Sequence, residues 1–284
     1  MNNRLKTFLR VIFILAAFSL LLWFLQNRLI FFPAAWPTGF KLPDAISNAS
    51  LSQHTVTAED GVNISLVLAT TSNSEKNGKI ILLNHGNAGN LLNRMDKVNR
   101  FCQMGYSVLV YDYRGFGLSS GSPDVEGAKK DADAALNFLK QTFNFTNPEI
   151  VIYGESLGTG IAAELVRKAD HPFAGLVLES GFASLKTQAN RRFPGIGTLI
   201  LKADLPTLAT ISAYKGPLLV IHSRKDEVIP FSDSETLFNA SPSTQKFFLA
   251  LESGGHNDPV WNDPKYEEAW NFLKSCWKQE IEGQ

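Results

Sequence analysis

The fold is decided by one stretch of the chain, Ile150–Gly158, which reads IVIYGESLG. Its first four residues are apolar and mostly β-branched, which predicts a buried strand, and the residues that follow the stretch predict a helix. Between strand and helix, the pattern G-x-S-x-G places Ser156 on a sharp turn whose flanking residues must be small. This context predicts that the Ser156 hydroxyl is exposed at the carboxyl end of a sheet. It also predicts that the N–H of Leu157 points to the place where an oxyanion would form.

A serine hydroxyl is a weak nucleophile, so it needs a base to take its proton and an acid to orient that base. Two later stretches of strand character each end in such a residue. Pro217–His222 is followed by a polar turn that contains Asp226, and Lys246–Leu251 is followed by a turn that ends in His256. Since sites in open α/β sheets collect at the carboxyl ends of strands, we predict a catalytic triad of Ser156, Asp226 and His256.

These residues leave some alternatives open. Asp226 could cap a turn and His256 could be an ordinary loop histidine. Asp258, two residues after His256, is a second candidate for orienting the imidazole. Asp112 and Arg114 also follow a strand end, but we expect their charges to pair locally and to hold their loop.

A further loop supplies the second donor of a predicted oxyanion hole. The strand Lys79–Leu83 is followed by Asn84–Asn90, which reads NHGNAGN. A loop in this position donates a backbone N–H to the developing negative charge, and we assign this role to the main chain of Asn87, together with that of Leu157. His85 is expected to be structural, with hydrogen bonds inside the loop. The loop lacks the lysine and hydroxyl of a phosphate-binding G-x-x-x-x-G-K-[ST] motif.

Four strings together resemble the α/β-hydrolase superfamily, and in particular its membrane-anchored branch that contains abhydrolase domain-containing protein 13 and its yeast and bacterial relatives. The strings are HGNAGN at 85–90, DYRGFGLS at 112–119, GESLG at 154–158 and GHND at 255–258. The resemblance covers roughly residues 25 to 280. It implies an α/β-hydrolase fold with a mostly parallel eight-stranded sheet and helices on both faces. It also implies the triad of Ser156, Asp226 and His256, but little about the substrate.

The chain departs from the pattern of this family at two positions near the predicted site. Ser223 stands where relatives often have glycine in an H-G-x-x-D turn, and Glu155 stands beside the nucleophile where arginine or histidine is frequent. Neither departure removes a catalytic group. Glu155, however, adds a negative charge next to the predicted nucleophile.

The N-terminal segment predicts a membrane anchor. Val11–Leu25 contains a single polar residue, and a helix that extends back to Phe8 measures about 27 Å, just enough for a hydrocarbon core. Arg4, Lys6 and Arg10 lie before or at the start of this run, which favours a cytoplasmic N-terminus. We therefore expect a single-pass protein with its catalytic domain outside the cytoplasm, periplasmic in a bacterium. A cleaved signal peptide is the alternative, but small residues of a cleavage site do not follow the run cleanly.

Strands that alternate with helices predict a parallel sheet with right-handed crossovers, preceded by an antiparallel hairpin around Asp60-Gly61. We expect residues 1–28 to form the anchor, 29–52 a linker and 53–284 the hydrolase domain. An insertion at about 182–215 separates two strands and is expected to form a short cap of one or two helices over the site.

Composition excludes several other classes of function. Lys+Arg and Asp+Glu both number 27, and no basic run interleaved with aromatic residues indicates nucleic acid. Cys102 and Cys276 fall on helices expected to share one face of the sheet, either as buried thiols or as a disulfide. No spacing of cysteine or histidine indicates a metal site, and no cofactor is expected. Arg191 and Arg192 in the cap either face solvent or contact an anionic group.

The sequence thus predicts a serine hydrolase that cleaves carboxylesters, lipid or acyl esters among them, through an acyl-enzyme. A thioesterase or a peptidase with the same triad is the first alternative. A non-catalytic, membrane-tethered binding or scaffold protein with a hydrolase fold is the second. The expected partners are a small-molecule ester or lipid and the membrane, whereas the oligomeric state stays open.

Overall fold

A computed structural model of the chain describes residues 3–71, 78–258 and 260–282, so the expected ranges 1–28 and 53–284 include some residues outside the described part. The helices are α1 Asn3–Ile30, α2 Met95–Gln103, α3 Val125–Thr142, α4 Leu157–Arg167, α5 Leu185–Arg192, α6 Gly197–Ile200, α7 Thr207–Ile211, α8 Phe231–Ala240 and α9 Pro264–Glu282. The strands are β1 Phe32–Pro33, β2 Ala45–Ile46, β3 Ala49–Thr57, β4 Asn63–Thr71, β5 Ile80–Asn84, β6 Ala88–Gly89, β7 Ser107–Tyr111, β8 Ile150–Glu155, β9 Gly175–Glu179, β10 Leu218–Ser223 and β11 Lys246–Leu251.

The main sheet has the strand order β11-β10-β9-β8-β5-β7-β4-β3-β2. The six strands from β11 to β7 are parallel, and β4, β3 and β2 continue the sheet in antiparallel fashion. This arrangement confirms the predicted mostly parallel α/β sheet with an antiparallel hairpin at its edge. The chain moves outward from β5 to β7 and then returns to β8 on the other side of β5. The carboxyl ends of β5 and β8 therefore flank a topological switch point, where sites of this fold class collect.

The sheet has nine strands in the described residues, one more than the eight predicted. The additional strand is the two-residue β2, which pairs with the start of β3 across the two-residue turn Ser47-Asn48. Ser47 adopts a positive φ of 44° in this turn. Such a short strand has too few residues to show a period of its own, so its sequence does not distinguish it from the expected linker.

The central strand β5 shows how the core is divided. All five of its residues are buried, and their side chains alternate between the two faces of the sheet. Ile80 and Leu82 pack in a cluster with α3, α4 and α8, whereas Ile81 and Leu83 pack with α2 and α9. This confirms helices on both faces. Cys102 and Cys276 belong to the second cluster and are buried thiols.

The cap contains three short helices, α5 to α7, where one or two were expected. Ser184 caps the start of α5 by accepting a hydrogen bond from the amide of Thr187 at 3.0 Å. Leu205, between α6 and α7, is fully buried against Gly160 of α4, where an added Cβ would lie only 2.6 Å from the Leu205 Cβ. The cap is thus anchored on the helix that follows Ser156.

Residues 29–52, expected to form a linker, pack against the domain. Phe31 and Trp36 are buried, and the Trp36 indole N–H donates to the buried carboxylate of Asp112 at 3.0 Å. β1 forms a small parallel sheet with β6 in the loop after β5. Two large aromatic side chains in an otherwise unpatterned segment account for this docking, because their burial removes apolar surface from water.

The helix α1 is continuous over 28 residues, or about 42 Å. Within the described ranges it alone is long and apolar enough to cross a membrane, by length and composition. Most of its apolar side chains are exposed, but Leu22 and Gln26 are buried where α1 meets the cap helix α6. The helix therefore has a lipid-compatible surface along its length and a protein contact near its C-terminal end.

The packing of residues 29–52 predicts that Trp36→Phe destabilises the domain by about 1–3 kcal/mol, because the Asp112 carboxylate loses a buried donor. Urea denaturation of the detergent-solubilised full chain, followed by near-ultraviolet circular dichroism, measures this difference. Phe32→Leu is the control, since Phe32 lies in the same segment and is 54% exposed. Equal midpoints for the two variants would contradict the structural role of Trp36.

Candidate active site

The turn at Ser156 is strained. Ser156 has φ 52° and ψ −117°, in the left-handed half of backbone space that non-glycine residues rarely adopt. Its N–H donates to the carbonyl of Glu179 at 2.9 Å, and its carbonyl accepts from the Thr159 hydroxyl at 2.7 Å. These hydrogen bonds hold the turn between the neighbouring strand β9 and the first turn of α4.

The glycines on either side of Ser156 are required by close backbone contacts. A Cβ at Gly154 would overlap the carbonyl oxygen of Gly158, and a Cβ at Gly158 would overlap the carbonyl oxygen of Asn84. Both positions lie where β8, β5 and the start of α4 meet. Only glycine allows the helix to begin so close to the two strands, and this approach exposes the Ser156 side chain.

The structure brings together the three side chains that the sequence singled out. His256 Nε2 lies 2.9 Å from Ser156 Oγ, and His256 Nδ1 lies 2.7 Å from Asp226 Oδ2. Because a carboxylate only accepts hydrogen bonds, Nδ1 carries a proton, and the neutral imidazole then accepts from the Ser156 hydroxyl through Nε2. The Asp226 side chain is fully buried and that of His256 nearly so.

Asp226 is held as an anion by its surroundings. Its Oδ1 accepts hydrogen bonds from the amides of Val228 at 2.9 Å and Ile229 at 2.8 Å. Burial alone would raise the pKa of Asp226, but hydrogen bonds from His222, His256 and the Ile229 amide hold it well below the usual aspartate value. Asp258, the alternative partner of His256, instead accepts from the amide of Gly255 at 2.7 Å.

His222 is a neighbour of this carboxylate that sequence reasoning missed. It is fully buried, and its Nε2 lies 3.2 Å from Asp226 Oδ2 and 3.0 Å from the carbonyl of Ile229. A proton on Nε2 satisfies both acceptors, and Nδ1 then accepts from the hydroxyl of Ser234 at 2.6 Å. The signal in the sequence was the four-residue spacing from His222 to Asp226, across the end of a buried strand.

Ser223, a departure from the family pattern, joins the loops of Asp226 and His256. Its hydroxyl donates to the carbonyl of Gly254 and accepts from the amide of Lys225 at 3.1 Å. Glu227 makes a second connection, since its carboxylate accepts from the amide of His256 at 3.0 Å. A glycine at position 223 would lack the first of these links.

Asn87 and Leu157, the residues whose amides are assigned to the oxyanion hole, both line the cavity that contains Ser156. Among the hydrogen bonds of the described residues, none has the N–H of Asn87 or Leu157 as its donor. The loop of Asn87 is fixed from the N-terminal side: the Asn87 side-chain amide donates to the carbonyl of Ile30 at 2.6 Å, and the Asn87 carbonyl accepts from the amide of Phe32 at 2.8 Å.

His85, in the same loop, is fully buried and forms a hydrogen bond from Nδ1 to the carbonyl of Gly86 at 2.7 Å. Burial lowers its pKa to about 3, so the ring is neutral.

Asp112 accepts from the amide of Leu91 at 2.7 Å, and burial raises its pKa to about 7. Arg114 pairs with Asp131 and Asp60. These groups hold the loops of the site and do not reach Ser156.

Glu155, the other departure, belongs to a buried cluster of charges beneath the turn. The ammonium group of Lys97 lies between the carboxylates of Glu155 and Glu179, and Arg94 pairs with Glu155 at 3.1 Å. Burial alone would raise the pKa of Glu155, but Lys97 and Arg94 lower it to about 2. The negative charge expected beside the nucleophile is thus neutralised locally.

Lys97 was missed because it lies on α2, far from the motifs in the chain. It occupies a buried position of that helix next to Val98 and Phe101, where an apolar residue is usual. A lysine in the apolar stripe of an amphipathic helix was the one signal for a buried ion pair. Its carboxylate partners could not be identified from that stripe.

A cavity of about 560 Å³ opens at Ser156 and His256. Its walls come from the end of α1, the loop after β5, the first turn of α4, the cap and the loop after β10. Arg191 binds the Asp233 carboxylate through Nη1 and Nη2, whereas Arg192 is exposed at the wall of the cavity. Among the described residues, no group of three or more His, Cys, Asp or Glu side chains is placed to hold a metal.

The charge cluster predicts that Lys97→Met destabilises the fold by about 3–5 kcal/mol, because two buried carboxylates then lack their shared cation. Lys168→Met is the matched control: Lys168 pairs with Asp133 on the surface, and its loss should change stability by less than about 1 kcal/mol. Urea denaturation of the full-length variants in one detergent compares the two. Similar losses in both variants would show that the cluster is no more important than a surface pair.

Comparison with known proteins agrees with this fold. Residues 75–208 match the family described as serine aminopeptidase, S33. The chain is 33% identical over 241 residues to an uncharacterized protein of Mycobacterium tuberculosis, covering 84% of this chain and 83% of the relative. It is 28% identical over 255 residues to protein bem46 of Schizosaccharomyces pombe, covering 87% and 85% of the two chains. It is also 28% identical over 260 residues to an uncharacterized membrane protein of Saccharomyces cerevisiae, covering 89% and 90%.

Solved structures show the same fold at lower identity. An esterase of Pyrococcus furiosus superposes with a TM-score of 0.70 at 17% identity, over 87% of this chain and 98% of that one. An acetyl xylan esterase of Paenibacillus sp. R4 superposes with a TM-score of 0.64 at 18% identity, over 82% and 86% of the chains. The strained serine turn and the mixed sheet agree with relatives that match most of the chain. This chain therefore belongs to the α/β-hydrolase superfamily, as a member of the Bem46 type.

Proposed function

We propose that the protein is a serine hydrolase that cleaves carboxylesters through an acyl-enzyme. The observation that carries this proposal is the continuous hydrogen-bonded series from Asp226 through His256 to Ser156, at the mouth of an apolar cavity. In this series Ser156 is the nucleophile, His256 the general base and Asp226 the residue that orients the imidazole.

In the first half of the reaction, the Ser156 oxygen attacks the ester carbonyl while its proton moves to His256 Nε2. The tetrahedral intermediate carries a negative charge on the former carbonyl oxygen. The N–H groups of Leu157 and Asn87 donate to this oxygen, since neither is used by the folded chain itself. The intermediate collapses when the ester C–O bond breaks and the alcohol leaves with the proton from His256.

In the second half, a water molecule gives a proton to His256 and attacks the acyl carbon. The Ser156–acyl bond breaks, the serine regains its proton and a carboxylic acid leaves. Asp226 stays charged throughout because its pKa is held low, and its charge stabilises the imidazolium in both halves. No cofactor takes part in these steps.

Esters are favoured over peptides by the lining of the cavity. An aminopeptidase binds the positively charged amino terminus of its substrate, which requires a carboxylate nearby. Among the described residues that line the cavity none is acidic, and the charged side chains there are those of Arg191 and Arg192. Two structural neighbours are named esterases, which agrees with this choice. A thioester would react through the same steps.

We also propose that α1 anchors the enzyme in a membrane with its N-terminus in the cytoplasm. The length and composition of α1 support this anchor, and so does the yeast relative that is named a membrane protein. Arg4, Lys6 and Arg10 precede or open the apolar run, as the rule that positive residues stay in the cytoplasm requires. The catalytic domain would then lie on the non-cytoplasmic side.

Ser156→Ala should abolish both labelling by a fluorophosphonate probe and hydrolysis of p-nitrophenyl butyrate, because the covalent step needs the hydroxyl. The wild-type chain should be labelled and should turn over the ester. A labelled alanine variant would mean that the nucleophile lies elsewhere. A wild type that neither labels nor hydrolyses any ester would favour the binding or scaffold protein.

Asp226→Asn should lower kcat/KM for the same ester by about 10³–10⁴, because an amide at this position no longer stabilises the imidazolium and its tautomer. Asp258→Asn is the matched control, since this carboxylate accepts from the amide of Gly255, and its replacement should change kcat/KM by less than about tenfold. The reverse order of the two effects would make Asp258 the orienting residue.

A further inference from the structure

The end of α1 forms part of the wall of the cavity that contains Ser156. Gln26, Leu29 and Ile30 line the cavity together with the predicted nucleophile. This end of the helix is fixed to the cap, because the buried Gln26 side chain accepts a hydrogen bond from the amide of Lys202 at 2.8 Å. The Lys202 ammonium also lies 4.1 Å above the ring of Trp23. The anchor is therefore a structural part of the site.

The bilayer would end close to this wall. Before the polar residues Gln26-Asn27-Arg28, the exposed apolar side chains of α1 extend from Leu5 to Phe24, which is twenty residues or about 30 Å of helix, the thickness of a hydrocarbon core. Ile30 follows Phe24 by six residues, or about 9 Å along the helix axis. The cavity thus begins at the level of the lipid headgroups.

An apolar rim continues from α1 into the cavity. Leu199 of the cap is 75% exposed, Val228 of the loop before α8 is 53% exposed and Leu29 is 45% exposed. Ile200 and Leu201, directly after Leu199, line the cavity itself. Exposed apolar side chains that are contiguous with a membrane helix mark a surface that contacts lipid.

From these contacts we propose that the substrate is a long-chain acyl ester taken from the bilayer, whose acyl chain enters along the last turns of α1 and under the cap. This inference rests on the proposed function, because the ester carbonyl must reach Ser156. The chain would lie against Leu29, Ile30, Ile200 and Leu201, and the carbonyl oxygen would face Leu157 and Asn87. The bonds that form and break are those of the ester hydrolysis above.

The test uses the full-length protein in phosphatidylcholine vesicles, with p-nitrophenyl butyrate and p-nitrophenyl dodecanoate as substrates. Active sites are counted by fluorophosphonate labelling, and kcat/KM is expressed per labelled site. Because each methylene moved from water to an apolar wall favours binding about fourfold, contact of only two of the eight additional methylenes of dodecanoate with the wall should raise the dodecanoate-to-butyrate ratio about tenfold or more in the wild type. Leu29→Arg, which places a charge in the path of the chain, should lower that ratio about tenfold or more.

Leu118→Arg is the matched control. Leu118 is 52% exposed and lies outside the cavity, so the dodecanoate-to-butyrate ratio of this variant should stay within about twofold of that of the wild type. If Leu29→Arg does not yield labelled protein, Leu199→Asp takes its place, because a side chain that is 75% exposed tolerates replacement and the same fall is expected. This variant keeps the test independent of the folding of α1.

Two results would overturn the inference: a wild-type ratio near one, or a Leu29→Arg or Leu199→Asp variant that keeps the wild-type ratio. In both cases labelling and butyrate turnover would persist, so the proposed hydrolase activity would stand. Loss of labelling in the wild type would instead contradict the proposed function. The two proposals therefore fail in different measurements.

Discussion

The contact between the start of α4 and the strands β5 and β8 is the constraint on which the rest of the site depends. Gly154 and Gly158 let these three elements meet at backbone distance, and Ser156 takes up the strain of the sharp turn between them. The strained serine points out of the sheet, and the next N–H, that of Leu157, has no partner in the helix because it belongs to the first turn. The proposed nucleophile and one proposed oxyanion donor thus come from a single backbone feature.

The turn at Ser156 also lies above two buried carboxylates whose charges are balanced by neighbouring cations. Glu155, directly before Ser156, and Glu179, whose carbonyl accepts from the Ser156 amide, both carry carboxylates into the space below the turn. Lys97 separates them and Arg94 closes the outer side. The two cations and two anions balance, so this cluster adds no net charge beside Ser156. A family member with arginine beside its nucleophile would need a different arrangement of charges at this place.

Local sequence patterns were sufficient to predict the strands, the turn and the helix that define the fold. The apolar runs of β5, β7 and β8, the turn at Ser156 and the apolar helix α1 are each recognisable within about twenty residues of sequence, since each depends on period and turn chemistry. The parallel sheet followed from their alternation. The polar residues after three strand ends were also identified in this way, because parallel strands bring their carboxyl ends to one edge.

The features that the sequence did not predict depend on contacts between residues that are far apart in the chain. Lys97 lies 58 residues from Glu155 and 82 from Glu179 in the chain, so its burial follows only from the packing of α2 on the sheet. The contact of His222 with Asp226 was not predicted, because a histidine at the end of a strand can have many different roles. The extra strand β2 and the docking of Trp36 depend on pairing with residues that local periodicity does not reveal.

The docking of residues 29–52 has a consequence for the site itself. The amide of Phe32 and the carbonyl of Ile30 hold both sides of Asn87, and the Asn90 side chain donates to the carbonyls of Ala34 and Ala35. The loop that would supply one oxyanion donor is therefore held by the segment that leaves the membrane helix. A chain that began after residue 35 would keep every residue of the proposed triad, yet its Asn87 loop would lose these supports. The folded unit that contains Ser156 accordingly includes residues 30–35 and does not begin at the first long strand of the sheet.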